Sequence, residues 1–232
     1  MNLLLDLFFP KRCVGCRQFG SYFCKECITE IKQGDLICPA CEKLSVGGQT
    51  HPICKKRFGL NGLWSLGLYE GSLRSAITQL KYKWVRALAE ELTNITIEYW
   101  AIYQPFLLDK IKQDYGQGWV IVPVPLSVWR QNWRGFNQSS LIGQSLSKKL
   151  GLDYCEGLKR IRHTKPQVSL KGYQRKQNIK GAFTTQEGID FKKYPKILLL
   201  DDVWTTGSTM RECGYELKKA GAKQVWAITL AR

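Results

Sequence analysis

A chain of 232 residues can hold one ordinary domain with a small module beside it. With 44% hydrophobic and 23% charged residues it buries a real core, which excludes wholesale disorder. Its formal net charge of +16 points to polyanionic partners: nucleic acid, a phosphorylated metabolite or an anionic surface.

The first ten residues, Met1 to Pro10, are apolar but short, interrupted by Asp6, and lack a basic leader and a small-residue cleavage site. The spacing of Leu4, Leu7 and Phe8 predicts a short amphipathic helix packed on the next module. No later run approaches the length of a membrane span, so a cytoplasmic protein without membrane insertion is expected.

Seven of the nine cysteines then fall at or before Cys54. They are paired as Cys13-Val-Gly-Cys16, Cys24-Lys-Glu-Cys27 and Cys38-Pro-Ala-Cys41, followed by His51-Pro-Ile-Cys54. Each such knuckle turns two soft ligands toward one ion, and eight ligands suffice for two tetrahedral Zn2+ ions. A sequential arrangement joins Cys13, Cys16, Cys24 and Cys27, then Cys38, Cys41, His51 and Cys54; an interleaved one joins first to third knuckle. Spacing alone leaves both open. Disulfides fit poorly with a reducing compartment and an odd cysteine. With four protein ligands each, the sites read as structural, and so short a segment depends on the metal to fold.

Beyond Lys55-Lys-Arg57 the pattern changes. A strand is expected over 62–69, a helix over 72–83 with the stripe Leu73, Ile77 and Leu80, and helix over 85–112 broken near Pro105. A strand over 119–122 runs into Pro123, a helix follows over 138–150, a strand over 196–200, a helix from Ser208 to Ala220, and a strand over 224–230. Strands alternating with helices indicate an α/β fold with a mainly parallel sheet. The unbroken apolar run Ile197-Leu-Leu-Leu200 suits a central strand covered on both faces. The division expected is a metal module over 1–58 and the α/β domain over 59–232.

The most informative stretch is Lys196-Ile-Leu-Leu-Leu-Asp-Asp-Val-Trp-Thr-Thr-Gly-Ser-Thr209. A buried strand runs into two acids, then a turn rich in glycine and hydroxyls, then a helix. Free N–H groups at such a turn and helix start favour a phosphate. Thr205, Thr206, Ser208 and Thr209 add hydroxyl donors, and Gly207 lets the backbone approach closely. Asp201 and Asp202 can each accept bidentate hydrogen bonds from a vicinal diol. A phosphate beside a diol describes a ribose 5-phosphate. Helix capping alone would need only one acid.

This stretch resembles the phosphoribosyl-pyrophosphate motif of the type I phosphoribosyltransferases. The resemblance implies that Asp201 and Asp202 hold the ribose hydroxyls, and that Thr205, Thr206, Gly207, Ser208 and Thr209 wrap the 5-phosphate. Trp204 is bulky for its variable position. Over nearly its whole length the chain is similar to the ComF family of competence-associated proteins, which join an N-terminal zinc ribbon to a phosphoribosyltransferase domain. The cysteine knuckles match, as do Pro123-Val-Pro125, Trp133-Arg-Gly-Phe-Asn-Gln138, and Arg160, Gln167, Leu170, Arg175, Asn178 and Gly181-Ala-Phe183. The implied fold is the type I phosphoribosyltransferase fold, with Mg2+ accompanying phosphoribosyl pyrophosphate.

The residues themselves agree. Pro123 and Pro125 fix a turn that could offer main-chain N–H groups to a pyrophosphate, as the corresponding loop does in type I enzymes. Arg134 leads into a helix, where it reaches an anion or pairs with a surface acid. Between Glu156 and Glu187 no acid occurs, but Lys159, Arg160, Arg162, Lys165, Lys171, Arg175, Lys176 and Lys180 do. Such a run is a hood over the diphosphate, a nucleic-acid surface, or a solvated basic face. Cys155 and Cys213 lie outside any motif and read as inert thiols.

Three functions follow. One is a phosphoribosyltransferase with an unrecognised acceptor; one is an accessory protein of DNA uptake that binds single-stranded DNA or a DNA-uptake helicase; one is a ligand-sensing regulator. The family resemblance favours natural competence.

Overall fold

The computed structural model describes residues 11–80, 85–103, 105–114, 118–162 and 179–232. The expected amphipathic helix at Leu4, Leu7 and Phe8, and the hood residues Lys165, Gln167, Leu170, Lys171, Arg175, Lys176 and Asn178, lie outside these.

Five strands form a parallel sheet in the order β1-β7-β6-β2-β3: β1 (Gly62–Gly67), β2 (Trp119–Pro123), β3 (Asp153–Tyr154), β6 (Lys196–Val203) and β7 (Gln224–Ala231). Strands β4 (Leu158–Arg160) and β5 (Phe183–Thr185) pair antiparallel beside it. The helices are α1 (Lys25–Thr29), α2 (Gly71–Gln79), α3 (Val85–Tyr103), α4 (Pro105–Gln113), α5 (Val128–Arg134), α6 (Gln138–Leu150) and α7 (Ser208–Lys219). The expected α/β architecture with a parallel sheet flanked by helices is therefore the one found.

The two-residue period of the strands divides the core. Trp64, Leu66, Trp119, Ile121, Leu198, Leu200, Trp226, Ile228 and Leu230 face a layer that includes Leu73, Ile77, Leu92, Ile95 and Ile142 from α2, α3 and α6. Leu63, Val120, Val122, Ile197, Leu199, Val225 and Ala227 face Met210, Cys213 and Leu217 of α7 and Phe183 of β5. Burial on both faces explains why these strands read as apolar runs.

The cysteine segments wrap the β1 edge. Cys13, Val14, Phe23, Cys27 and Ile31 join the α2–α3 side of the core, where Ser72 donates to the Cys27 carbonyl (2.8 Å) and Tyr99 to the Ile28 carbonyl (2.7 Å). Ile37 belongs to the opposite side, and Arg211 of α7 donates to the Pro39 carbonyl there (2.7 Å).

The chain leaves β2 toward β3 on one side, and returns to place β6 and then β7 on the other. The strand order thus reverses between β2 and β6, and in open α/β sheets ligands bind in the crevice beyond the carboxyl ends at that point.

Candidate functional site

Two metal-ligand groups form, and the pairing is sequential. Cys13, Cys16, Cys24 and Cys27 come together, as do Cys38, Cys41, His51 and Cys54, with the ligand atoms of each set within 4.8 Å of one another. A tetrahedron of ~2.3 Å bonds has edges of about 3.8 Å, and Cys16 Sγ lies 3.6 Å from Cys24 Sγ. Each set could hold one zinc ion. His51 Nε2 is 2.8 Å from the Leu44 carbonyl, which only an N–H can satisfy. That fixes the tautomer and turns Nδ1 toward the cluster, 3.4 Å from Cys41 Sγ.

The knuckle backbone favours the thiolate at one cysteine of each set, Cys13 and Cys38. Burial alone would raise the Cys13 thiol, but the N–H groups of Cys24, Cys16 and Gly15 outweigh it and bring it down to about 6. Cys38 follows the same logic, with burial outweighed by the N–H groups of Cys41, His51 and Ala40, and comes down to about 7. All nine cysteines are free of disulfides. Cys213 is fully buried, and burial pushes its thiol well up, as expected of an inert side chain.

The second site stands at the switch point. Strand β6 continues past Leu200, so Asp201 pairs with Thr229 and Val203 with Ala231, and both acids lie within the last residues of the ladder. The half-buried Asp201 receives the Ser139 hydroxyl at 3.4 Å and Asp202 the Gln138 amide at 3.0 Å, both from the first turn of α6. Asn137 sets that turn: its side chain accepts the Ser139 N–H at 3.0 Å and donates to the Val124 carbonyl at 3.0 Å.

After β6 the chain turns through Thr205 and Thr206 to Gly207, the residue before α7, with φ +62°. A Cβ there would lie 2.1 Å from the Trp204 ring, so only glycine closes this turn. Trp204 itself is buried beneath the loop and directed into the core. The Thr206 and Ser208 hydroxyls are 2.9 Å apart. The loop and its helix start meet the acids at one end of the sheet, an arrangement that can hold a phosphate and a diol together.

Arg134 turns toward the acids of the site. It donates to Gln138 Oε1 (3.0 Å), and Nε2 of the same side chain donates to Asp202. Arg160 ends β4, stacks 5.4 Å over Phe183 and feels the charge of Asp201. Burial, followed by Arg130, pulls its guanidinium below the usual range. Arg175 lies outside the described residues.

The proline turn departs from expectation. Neither Pro123 nor Pro125 has an N–H, and Val124 spends its own on the Leu200 carbonyl (2.8 Å). Only residues from Leu126 onward remain to offer main-chain donors there. Three participants were missed in the sequence. Arg130, on the unanticipated helix α5, acts electrostatically on Asp201 and Arg160. Ser139 and Gln138 touch the acids, and the Asn-Gln-Ser start of α6, polar yet buried, was the available signal.

Burial, and then the charge of Asp202, push Asp201 up to about 8. The unfolded carboxyl loses its proton near pH 4. Between those values the folded state binds the extra proton, so stability falls as pH rises across that window. Urea unfolding at pH 5 and pH 8.5 should therefore show a decline that flattens in Asp201→Asn. An unchanged slope would remove Asp201 as its source.

No protein-family profile matches the chain. Individual proteins do. It is 31% identical over 235 residues to Competence protein F of Haemophilus influenzae, covering 97% of this chain and 98% of the relative. DNA utilization protein YhgH of Escherichia coli K12 is 30% identical over 239 residues, covering 96% and 98%. Competence protein ComFC of Streptococcus pneumoniae is 25% identical over 220 residues, covering 93% and 90%. Similarity end to end, with the paired metal-ligand groups and the parallel sheet in place, establishes that this chain belongs to the ComF family of competence proteins.

Proposed function

We propose that the chain binds phosphoribosyl pyrophosphate at the β2–β6 switch point and acts in the uptake of transforming DNA. The observation that carries this is the junction of Asp201 and Asp202 with the Thr205–Thr209 loop at the carboxyl end of β6. In this reading the two carboxylates accept the ribose hydroxyls, and the loop amides with the Thr206 and Ser208 hydroxyls surround the 5-phosphate. Arg134 and Arg160 supply positive charge toward the diphosphate, with Arg175 of the hood. The hard oxygens of Asp201 and Asp202 suit Mg2+ carried by the diphosphate, which would neutralise the leaving group. The chain's own residues orient the ribose and screen its charge.

The assignment divides the chain by chemistry: residues 1–58 supply the metal knuckles and 59–232 the phosphoribosyltransferase-type domain. Titration calorimetry with phosphoribosyl pyrophosphate and Mg2+ should give saturable one-to-one binding. Pyrophosphate release, followed with nucleobases and with single-stranded DNA as acceptors, then decides whether the site turns over. A flat titration at millimolar ligand sinks the reading.

One observation favours a DNA contact as well. Trp129 and Trp133 are 64% and 60% exposed on successive turns of α5, their rings parallel within 2° and 6.2 Å apart. Arg130 and Arg134 share that helix. Exposed aromatics beside fixed positive charge make a stacking platform for single-stranded nucleic acid, worth about 1–3 kcal/mol per base. Trp129→Ala with Trp133→Ala should weaken single-stranded DNA binding at least about tenfold and leave the salt slope nearly unchanged, because the phosphate contacts remain. Anisotropy titrations of a labelled oligonucleotide at several salt concentrations test this; equal affinity would exclude the platform. Among the described residues no helix is long and apolar enough to cross a membrane.

A further inference from the structure

Arg211, the fourth residue of α7, connects the second metal group to the loop at the switch point. One N–H group of its guanidinium donates to the Thr206 carbonyl at 2.7 Å. Nε donates to the Pro39 carbonyl at 2.7 Å, and the remaining nitrogen pairs with Glu42 Oε1 at 2.6 Å. The plane lies 5.1 Å from the Trp204 ring, the same ring that packs under Gly207. The guanidinium fork is rigid, so fixing two of its arms fixes the third.

Both fixed arms belong to the metal site. Pro39 is inside the Cys38-Pro-Ala-Cys41 knuckle, and Glu42 follows directly, its own N–H donating to the Cys38 carbonyl at 2.8 Å. Glu42 also holds a left-handed backbone, φ +61°, a conformation that costs a non-glycine residue and persists when its surroundings impose it. Closing the knuckle on an ion sets the direction of the Pro39 carbonyl and of Glu42. Those orient Arg211, and Arg211 pins the Thr206 carbonyl in the turn before α7. The hydrogen bonds around the first metal group run elsewhere, to Ser72, Gln79, Glu91 and Tyr99 on α2 and α3.

We propose that Arg211 is a positioning residue through which metal at Cys38, Cys41, His51 and Cys54 organises the phosphate loop. This rests on the phosphoribosyl-pyrophosphate reading of that loop. It gives the metal module a part in ligand binding beyond holding its own fold. Coupling between sites is reciprocal: whatever factor the metal adds to ligand affinity, the ligand adds to metal retention.

The test combines two readouts on the zinc-loaded full chain. In calorimetry, Arg211→Lys and Arg211→Ala should weaken phosphoribosyl pyrophosphate binding by roughly 5–150-fold. Lysine should not rescue, because it keeps the charge and loses the fork. Glu42→Gln removes the ion pair at the surface without threatening the fold, and should give a smaller loss in the same direction. In the second readout, zinc release to a chromogenic chelator should show two phases, and saturating phosphoribosyl pyrophosphate should slow only one. That phase should be the one missing from Cys54→Ser, and Arg211→Lys should abolish the slowing. Amide exchange at residues 206–209 should quicken in Arg211→Lys and in Cys54→Ser with no ligand present. If the parent binds no phosphoribosyl pyrophosphate but this exchange effect appears, the ligand assignment fails and the connection stands. If the parent binds, and Arg211→Lys and Glu42→Gln bind equally well with both zinc phases unmoved, the connection is overturned.

Discussion

Replacing Asp201 and Asp202 together by Asn is expected to weaken phosphoribosyl pyrophosphate binding at least about 100-fold, with the unfolding midpoint unchanged or slightly raised. The two side chains keep their shape, and their amide oxygens still accept from Ser139 and Gln138. What disappears is negative charge at the position assigned to the diol and its divalent cation. Each charge-assisted hydrogen bond to a ligand contributes about 1.5–3 kcal/mol, and two are lost when binding is measured at pH 8.5, above the raised Asp201 value. Stability moves the other way, because burial and mutual repulsion disfavour an ionised Asp201 in the folded chain. The gain should be clearest at pH 8 and vanish below about pH 3, where the parent carboxyl is protonated in both states. Calorimetric titration and thermal unfolding of the same samples check both halves. A double variant that binds like the parent places the ligand elsewhere, and one that unfolds makes the pair structural.

Much of this site was legible because its signals are local. An apolar run, two acids and a hydroxyl-rich turn fall within fourteen consecutive residues, so no tertiary information was needed to group them. The α6 boundaries were legible for the same reason: Asn137 caps one end, and Gly151, at φ +64°, ends the other. The misses are non-local or short. Helix α5 has seven residues and no buried one, so no apolar stripe announces it. Strands β4 and β5 have three residues each, and their partners lie more than twenty positions apart, too far for a hairpin turn to announce the pair. The three residues of β6 beyond Leu200 are polar or half-exposed, and they remain in the sheet because β7 carries the ladder on to Ala231. Nor does spacing decide which knuckles share an ion. That choice is made by the β1 edge, around which the segment wraps, placing Cys27 against α2 and Pro39 against α7.

That wrapping makes the two metal groups unequal. Metal analysis of the purified chain should find close to two zinc ions, since eight ligands stand in two complete sets. Cys27→Ser and Cys54→Ser should each leave about one, with different consequences for stability. Cys13 and Cys27 are buried in the larger core cluster, together with Phe23 and Ile31, against Leu73, Ile77 and Leu92 of α2 and α3. Opening that knuckle exposes one face of the sheet, and the Cys27→Ser change leaves a buried hydroxyl among sulfurs with no ion to bind. Loss of a metal belongs among the few single changes that exceed 4–5 kcal/mol. For a chain of this size that corresponds to a fall of about 10–15 °C in midpoint. Cys54 lies half-exposed at the end of a short 3₁₀ turn, Pro52–Cys54. Around it the backbone is held independently, by Thr50 donating to the Leu60 carbonyl (2.6 Å) and by Asn61 accepting the Val225 N–H (2.9 Å). Cys54→Ser should therefore lower the midpoint by no more than about half as much. Scanning calorimetry with zinc quantified on each sample distinguishes the cases. Equal midpoints for the two variants would mean that the first cluster shares no stability with the sheet it packs upon.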